Sequence, residues 1–133
     1  MPADLIILAT STRNGECFIQ TATLDGERAL KPKFILDQFK RHFKLHPEEG
    51  VVGCERAHVQ FEKPNKNIYK VYADLQVEEG EAASQSSLAA KMIISNAQVA
   101  LRGCLLANTE WVIGLAIYTG QETKILLNLG QKR

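Results

Sequence analysis

An excess of charge of either sign is missing from this chain. Sixteen Lys and Arg stand against fifteen Asp and Glu, a formal net charge of +1 over 133 residues. Without a basic excess to replace the counterions of a polyanion, a nucleic-acid partner is not expected. Long apolar runs are also absent. The longest is Leu5–Ala9, and Trp111–Ile113 and Leu115–Tyr118 are separated only by Gly114; all are far short of the roughly 20 residues a helix needs to span a bilayer. The segment Met1-Pro2-Ala3-Asp4 carries neither the basic region nor the sustained apolar stretch of an export signal. Cysteine is scarce: Cys17, Cys54 and Cys104 are odd in number, widely spaced and set among apolar or small residues. That pattern argues against a disulfide framework and for inert, buried thiols in a reducing compartment. No stretch rich in proline or glycine divides the chain, and no period repeats, so residues 1–133 are expected to form one domain.

What is present is ordinary globular composition, 45% hydrophobic and 23% charged. A chain of this length can bury roughly two-thirds of the surface it exposes when unfolded, enough for a core without a metal or disulfide staple.

The pattern along the chain is mainly β. Asp4–Thr10 is an apolar run that ends in the polar cluster Ser11–Gly15, and Cys17–Thr23 follows with β-branched and aromatic residues before stopping at Asp25-Gly26. The spacing predicts two strands joined as a hairpin around Asn14-Gly15. From Lys33 to Phe43 the period lengthens: Phe34, Ile35, Leu36, Phe39 and Phe43 share one face, which predicts an amphipathic helix of about three turns. Pro32 would sit in its first turn, and Pro47 with Gly50 would end the segment. Tyr69, Val71, Ala73, Leu75 and Val77 alternate with Lys70, Tyr72, Asp74 and Gln76 and predict a half-buried strand. Glu78–Ser87 is polar and small and is expected to be a loop, with a short helix possible over Leu88–Ile94. Gln98–Leu101 and Glu110–Tyr118, the latter interrupted by Gly114, are expected to be strands, and Thr123–Leu129 is a last apolar element.

Motifs with chemical content are few. His42 and His46 would share a helix face, with Cys54 further along, but there is no Cys-x-x-Cys or His-Glu-x-x-His spacing to complete a zinc site. The stretch Gly114–Gly120 lacks the lysine of a phosphate-binding loop, so no nucleotide or metal cofactor is expected on this chain. The remaining candidate is Thr23-Leu24-Asp25-Gly26-Glu27-Arg28, where glycine stands at the point of a sharp polar bend. It is either an ordinary Asp-Gly turn or a device for presenting a carboxylate outward.

Two separated blocks give that bend a context. Pro2–Leu8, Asn14–Glu27 and Leu30-Lys31 resemble the actuator domain of type IV P-type ATPases, the phospholipid flippases, whose loop reads DGET followed by NLK. Leu101–Gly114, continuing through Ala116–Lys124, resembles the stretch of the same family that leads toward the third membrane helix. Between them, Cys54-Glu55, Phe61–Asn65 and Tyr69-Lys70 are more weakly similar to the linking region.

The resemblance implies a distorted, double-stranded β-helix-like jelly roll with one or two short helices, lying on the cytosolic face of a membrane between the second and third membrane helices of a multi-pass protein. In such a protein an aspartate of another domain is phosphorylated, with ATP and Mg2+ held by the phosphorylation and nucleotide-binding domains, and an accessory subunit is expected. The resemblance assigns Glu27 as the carboxylate that activates water against the acyl phosphate, with Asp25, Gly26 and Arg28 supporting the loop. The isolated domain should hydrolyse nothing. Arg28 and Ala29 depart from the family's Thr and Asn. A guanidinium beside Glu27 would either pair with it and blunt it as a base or bind phosphate. A degenerate, non-catalytic regulatory or scaffolding domain of a larger membrane protein is the alternative.

Overall fold

The computed structural model describes residues 1–54, 56–79 and 87–129. Strand β1 (Asp4–Thr10) runs antiparallel between β11 (Val112–Tyr118) and the short β9 (Val99–Ala100). Its consecutive residues Ile6, Ile7 and Leu8 are all buried, as an unbroken apolar run in a strand covered on both faces should be. Gly114 does not interrupt β11. It pairs with Ile7, and a Cβ there would lie 3.0 Å from the Cβ of Leu5, so glycine permits the close approach of two backbones within a continuous strand.

A second sheet places β2 (Glu16–Gln20) between β3 (Lys31–Phe34) and β10 (Leu105–Ala107). The expected hairpin between β1 and β2 therefore does not form, because the two strands belong to different sheets. The turn itself does: Gly15 adopts φ +73°, and the Thr12 hydroxyl accepts the Glu16 N–H at 2.9 Å. It hands the chain from one sheet to the next.

The three-turn helix over 33–43 is also overturned. Residues 31–34 pair with β2, Phe18 opposite Pro32 and Cys17 opposite Lys33, and only α2 (Asp37–His42) is helical. Lys33 is buried while Phe34 is 44% exposed, the reverse of the expected faces. Pro32 is tolerated because β3 is an edge strand, where a missing N–H costs no ladder bond. Pro47 and Gly50 do not end a helix but flank the turn of a ribbon made by β4 (Phe43–His46) and β5 (Gly50–Cys54).

The third three-stranded sheet sets β7 (Ala73–Glu79) between β6 (Arg56–Phe61) and β8 (Ser87–Ile94). Val71, Ala73, Leu75 and Val77 are buried in alternation as expected, but the strand starts at Ala73, and Tyr69 remains 64% exposed. The helical option for 88–94 is replaced by β8, whose Met92 and Ile94 enter the core opposite Leu75 and Ala73. Of the expected loop, Glu78, Glu79 and Ser87 lie in strands, and 80–86 fall outside the described residues.

Gln98 closes a 3-10 turn instead of opening a strand: Ser95 and Gln98 form a capping box, and the strand narrows to β9. The final apolar element is a helix, α3 (Lys124–Leu129). With the single-turn α1 (Ala22–Asp25), this gives three short α-helices among the described residues on a mainly β fold. The core gathers β1, β2, β7, β8, β9 and Phe39 of α2 into one cluster. Among the described residues no helix is long and apolar enough to cross a membrane.

Candidate functional site: an acidic turn at the end of β2

The chain leaves β2 at Thr21 and makes one helical turn before glycine stops it. The Thr21 carbonyl accepts the N–H groups of Leu24 and Asp25, and the Ala22 carbonyl accepts the Gly26 N–H at 2.9 Å. Gly26 then takes φ +75°, a left-handed cap that a side chain with a Cβ occupies only at a cost. A Cβ at Gly26 would meet nothing within 4 Å, so backbone conformation, not crowding, calls for glycine here.

Asp25 is the hub of the turn. Its Oδ1 accepts the Glu27 N–H at 3.0 Å and the Thr21 hydroxyl at 2.9 Å, while its Oδ2 accepts the Lys31 ammonium at 2.9 Å. These contacts hold the Asp25 carboxyl below its usual range, the Lys31 hydrogen bond contributing most and the Glu27 backbone N–H next. Lys31 reaches Glu27 as well, with Nζ 2.9 Å from Oε2. Both carboxylates raise the lysine's pKa, Glu27 more than Asp25. Glu27 itself points away from the core, its side chain 60% exposed. The turn therefore presents one carboxylate to solvent and keeps the other, 8% exposed, as internal scaffolding.

The underside of the turn is tied down. Thr23 donates its hydroxyl to the Gly103 carbonyl at 2.7 Å, and the Gly103 N–H reaches the Met1 carbonyl at 3.1 Å. A cavity of about 50 Å3 lies below, lined by Thr21, Asp25, Lys31, Lys33 and Cys104 among others. Lys33 is anchored there by donating to the Asn96 carbonyl at 2.7 Å, and burial pushes its pKa down.

Of the residues singled out in the sequence, Glu27, Asp25 and Gly26 come together in this turn. Arg28 lies beside them but does not pair with Glu27: Lys31 takes that place, and among the described residues Arg28 makes no ion pair. Only its backbone is engaged, the Arg28 carbonyl accepting the Gln20 amide at 3.3 Å. Lys31, Thr21 and Gly103 were not singled out for their chemistry. The spacing of Lys31, four residues after Glu27, was the one available signal, since in a bend of this kind such a lysine can reach back to both acids.

The other candidates separate. His42 ends α2 and His46 ends β4, so they share no helix face, and His46 Nδ1 accepts the Glu48 N–H. Among the described residues no group of three His, Cys, Asp or Glu side chains could hold a metal. Cys17 is fully buried, its thiol pushed up to about 11 by desolvation, and burial raises Cys104 too. Neither has the thiolate character of a nucleophile.

A second buried polar tie lies beside the turn's underside, on Arg102 next to Gly103. Asp4, fully buried, accepts the backbone N–H of Arg102 at 2.8 Å and that of Lys124 at 2.9 Å. The Lys124 ammonium, also buried, donates to Asn65 Oδ1 at 2.8 Å and stands 5.8 Å from the centroid of the Tyr118 ring.

Fold and turn thus define a mainly β domain that carries an acidic, lysine-bridged turn on its surface. No family model matches the chain. Along 96–98% of its length it is homologous to one segment of the type IV phospholipid-transporting ATPases. It is 32% identical over 129 residues to "Phospholipid-transporting ATPase 1" of Arabidopsis thaliana. It is 38% identical over 139 residues to "Phospholipid-transporting ATPase DNF1" of Chaetomium thermophilum, and 34% identical over 134 residues to "Phospholipid-transporting ATPase ID" of Homo sapiens. The chain covers 96%, 98% and 98% of itself in these matches but only 10%, 8% and 10% of the relatives' lengths.

Proposed function

We propose that this chain is the actuator domain of a phospholipid-transporting P-type ATPase and that Glu27 promotes hydrolysis of an aspartyl phosphate held on another domain. In this reading water attacks phosphorus, and its oxygen forms the new P–O bond as the bond to the aspartyl oxygen breaks. Glu27 takes the proton, and free aspartate and inorganic phosphate result. ATP and Mg2+ belong to the phosphorylation and nucleotide-binding domains. The domain works on the cytosolic face, joined to the membrane helices of the same protein, with an accessory subunit alongside. By itself it hydrolyses nothing.

The observation that supports this most is the placing of Glu27: a solvent-facing carboxylate on a turn held by Gly26 and Asp25, in a chain whose relatives are phospholipid-transporting ATPases along nearly its whole length. A carboxylate that must meet an external phosphoryl group has to be exposed on a backbone held in place, and here the Glu27 side chain faces solvent while its N–H is held by Asp25. In the full-length protein that carries this domain, Glu27→Gln is expected to make the aspartyl phosphate persist after ATP is chased, with decay slowed on the order of a hundredfold, the usual weight of a general base. Decay at the unsubstituted rate refutes the assignment. Absence of any phosphoenzyme, in the unsubstituted protein and in Glu27→Gln alike, supports a non-catalytic scaffold.

A further inference from the structure

Two anions have to meet in the reaction just proposed, the carboxylate of Glu27 and a phosphoryl group, and their repulsion opposes docking. Only one described side chain bridges the acids of the turn: Lys31, whose Nζ lies 2.9 Å from Asp25 Oδ2 and 2.9 Å from Glu27 Oε2. Asp25 is nearly enclosed and has the Glu27 N–H and the Thr21 hydroxyl as further partners, so its hold on Lys31 is the more permanent of the two. The link to Glu27 lies at the exposed end and is readily exchanged, as surface ion pairs are. Lys31 rises from the first residue of β3, so its backbone is fixed by pairing with Ile19 of β2, and the ammonium is held where the turn faces outward.

We propose that Lys31 is a positioning residue for dephosphorylation: anchored through Asp25, it aims the Glu27 carboxylate and lends the positive charge that lets the acidic turn approach a phosphoryl dianion. This rests on the actuator reading and assigns a role to a residue outside the acid itself. In the step, Lys31 neither gains nor loses a proton; the proton of the attacking water goes to Glu27, and the aspartyl oxygen leaves as carboxylate.

The test compares Lys31→Gln, Lys31→Arg and Glu27→Gln in the full-length protein carrying this domain, reading aspartyl-phosphate decay at low and high ionic strength. Lys31→Gln keeps a hydrogen-bond donor of similar reach without the charge, and is expected to slow decay on the order of tenfold, a partly screened version of the loss of a charge-stabilising donor. Lys31→Arg is expected to restore most of the rate. The difference between Lys31→Gln and the unsubstituted protein should narrow as salt rises, because salt screens the repulsion that lysine otherwise offsets. A merely structural lysine would give no such salt dependence. If Glu27→Gln slows decay but Lys31→Gln does not, or if arginine fails to rescue, the role of Lys31 is overturned and the actuator reading stands. If Glu27→Gln leaves decay unchanged, the actuator reading falls and takes this inference with it.

Discussion

The Asp4→Ala substitution tests whether one buried carboxylate joins the two ends of the described chain. Asp4 has no exposed surface, and its two oxygens accept backbone N–H groups from Arg102 and Lys124, at 2.8 and 2.9 Å, across sequence separations of 98 and 120. Truncation leaves two donors in the interior without an acceptor, and each such orphan costs about 1–3 kcal/mol. Relief of the carboxylate's own desolvation offsets part of this, so a net loss of about 3–4 kcal/mol is expected. That is a large part of the roughly 5–15 kcal/mol that holds a domain together. Asp4→Asn retains one acceptor and turns an amide NH2 toward the other donor, so about half of that loss is expected. Urea unfolding followed through the single tryptophan, Trp111, measures both: the midpoint should fall with little change in the slope against denaturant. A loss below about 1 kcal/mol for Asp4→Ala, within the range of an ordinary surface change, would refute the reasoning.

Gly26→Ala isolates backbone strain, because no atom lies within 4 Å of the added methyl; a loss of about 1–2 kcal/mol is expected, with Gly26→Asn milder, since asparagine tolerates the left-handed region better. Equal stability of all three proteins by urea titration would show that the turn can relax out of its positive φ. The depressed pKa of Asp25 makes a pH statement: a carboxylate stabilised in the folded state contributes above its unfolded pKa of about 3.9 and loses that contribution as pH falls through the lower folded value. The denaturation midpoint should therefore drop below about pH 4, and Asp25→Asn should flatten that drop. Identical acid limbs for the two proteins would show that Lys31 and the Glu27 N–H do not stabilise the carboxylate.

How much of this was legible depends on whether the signal was local. Asp4–Thr10 reads as a buried strand because a run of β-branched and aliphatic residues admits little else, and Val71 to Val77 reads as half-buried because two-residue alternation has one physical meaning. The segment 33–43 misled because Phe34, Ile35, Leu36 and Phe39 satisfy a helical face arithmetically. The deciding fact was non-local: β2 offers Cys17 and Phe18 as pairing partners for Lys33 and Pro32, and those residues are in the ladder instead of a helix. Residues 88–94 misled for a related reason, since leucine, alanine, lysine and methionine all favour helices and only the neighbouring β7 draws them into a strand. In the candidate site the bend was legible, because Asp-Gly marks a turn by itself. The tie from Thr23 to Gly103 spans 80 residues and leaves no trace in either segment alone.

The departure at Arg28 takes on a definite sense once the partners are assigned. Paired with Glu27, the guanidinium would have blunted the carboxylate, but Lys31 already fills that position at 2.9 Å and the Arg28 side chain is left exposed. The turn thus carries two carboxylates, Asp25 and Glu27, against two cations, Lys31 and Arg28. With threonine in place of Arg28, as in the DGET sequence the turn resembles, the same residues would sum to one negative charge. A neutral turn meets a phosphoryl dianion without the net repulsion that a negative one feels. Among the described residues Arg28 makes no ion pair, and in the proposed reaction its guanidinium is well shaped to take two phosphate oxygens at once. Of the two roles open to Arg28, restraining Glu27 is the one the observed pairing with Lys31 leaves it without. In the proposed reaction its place is with Lys31, as charge that helps the docked state form.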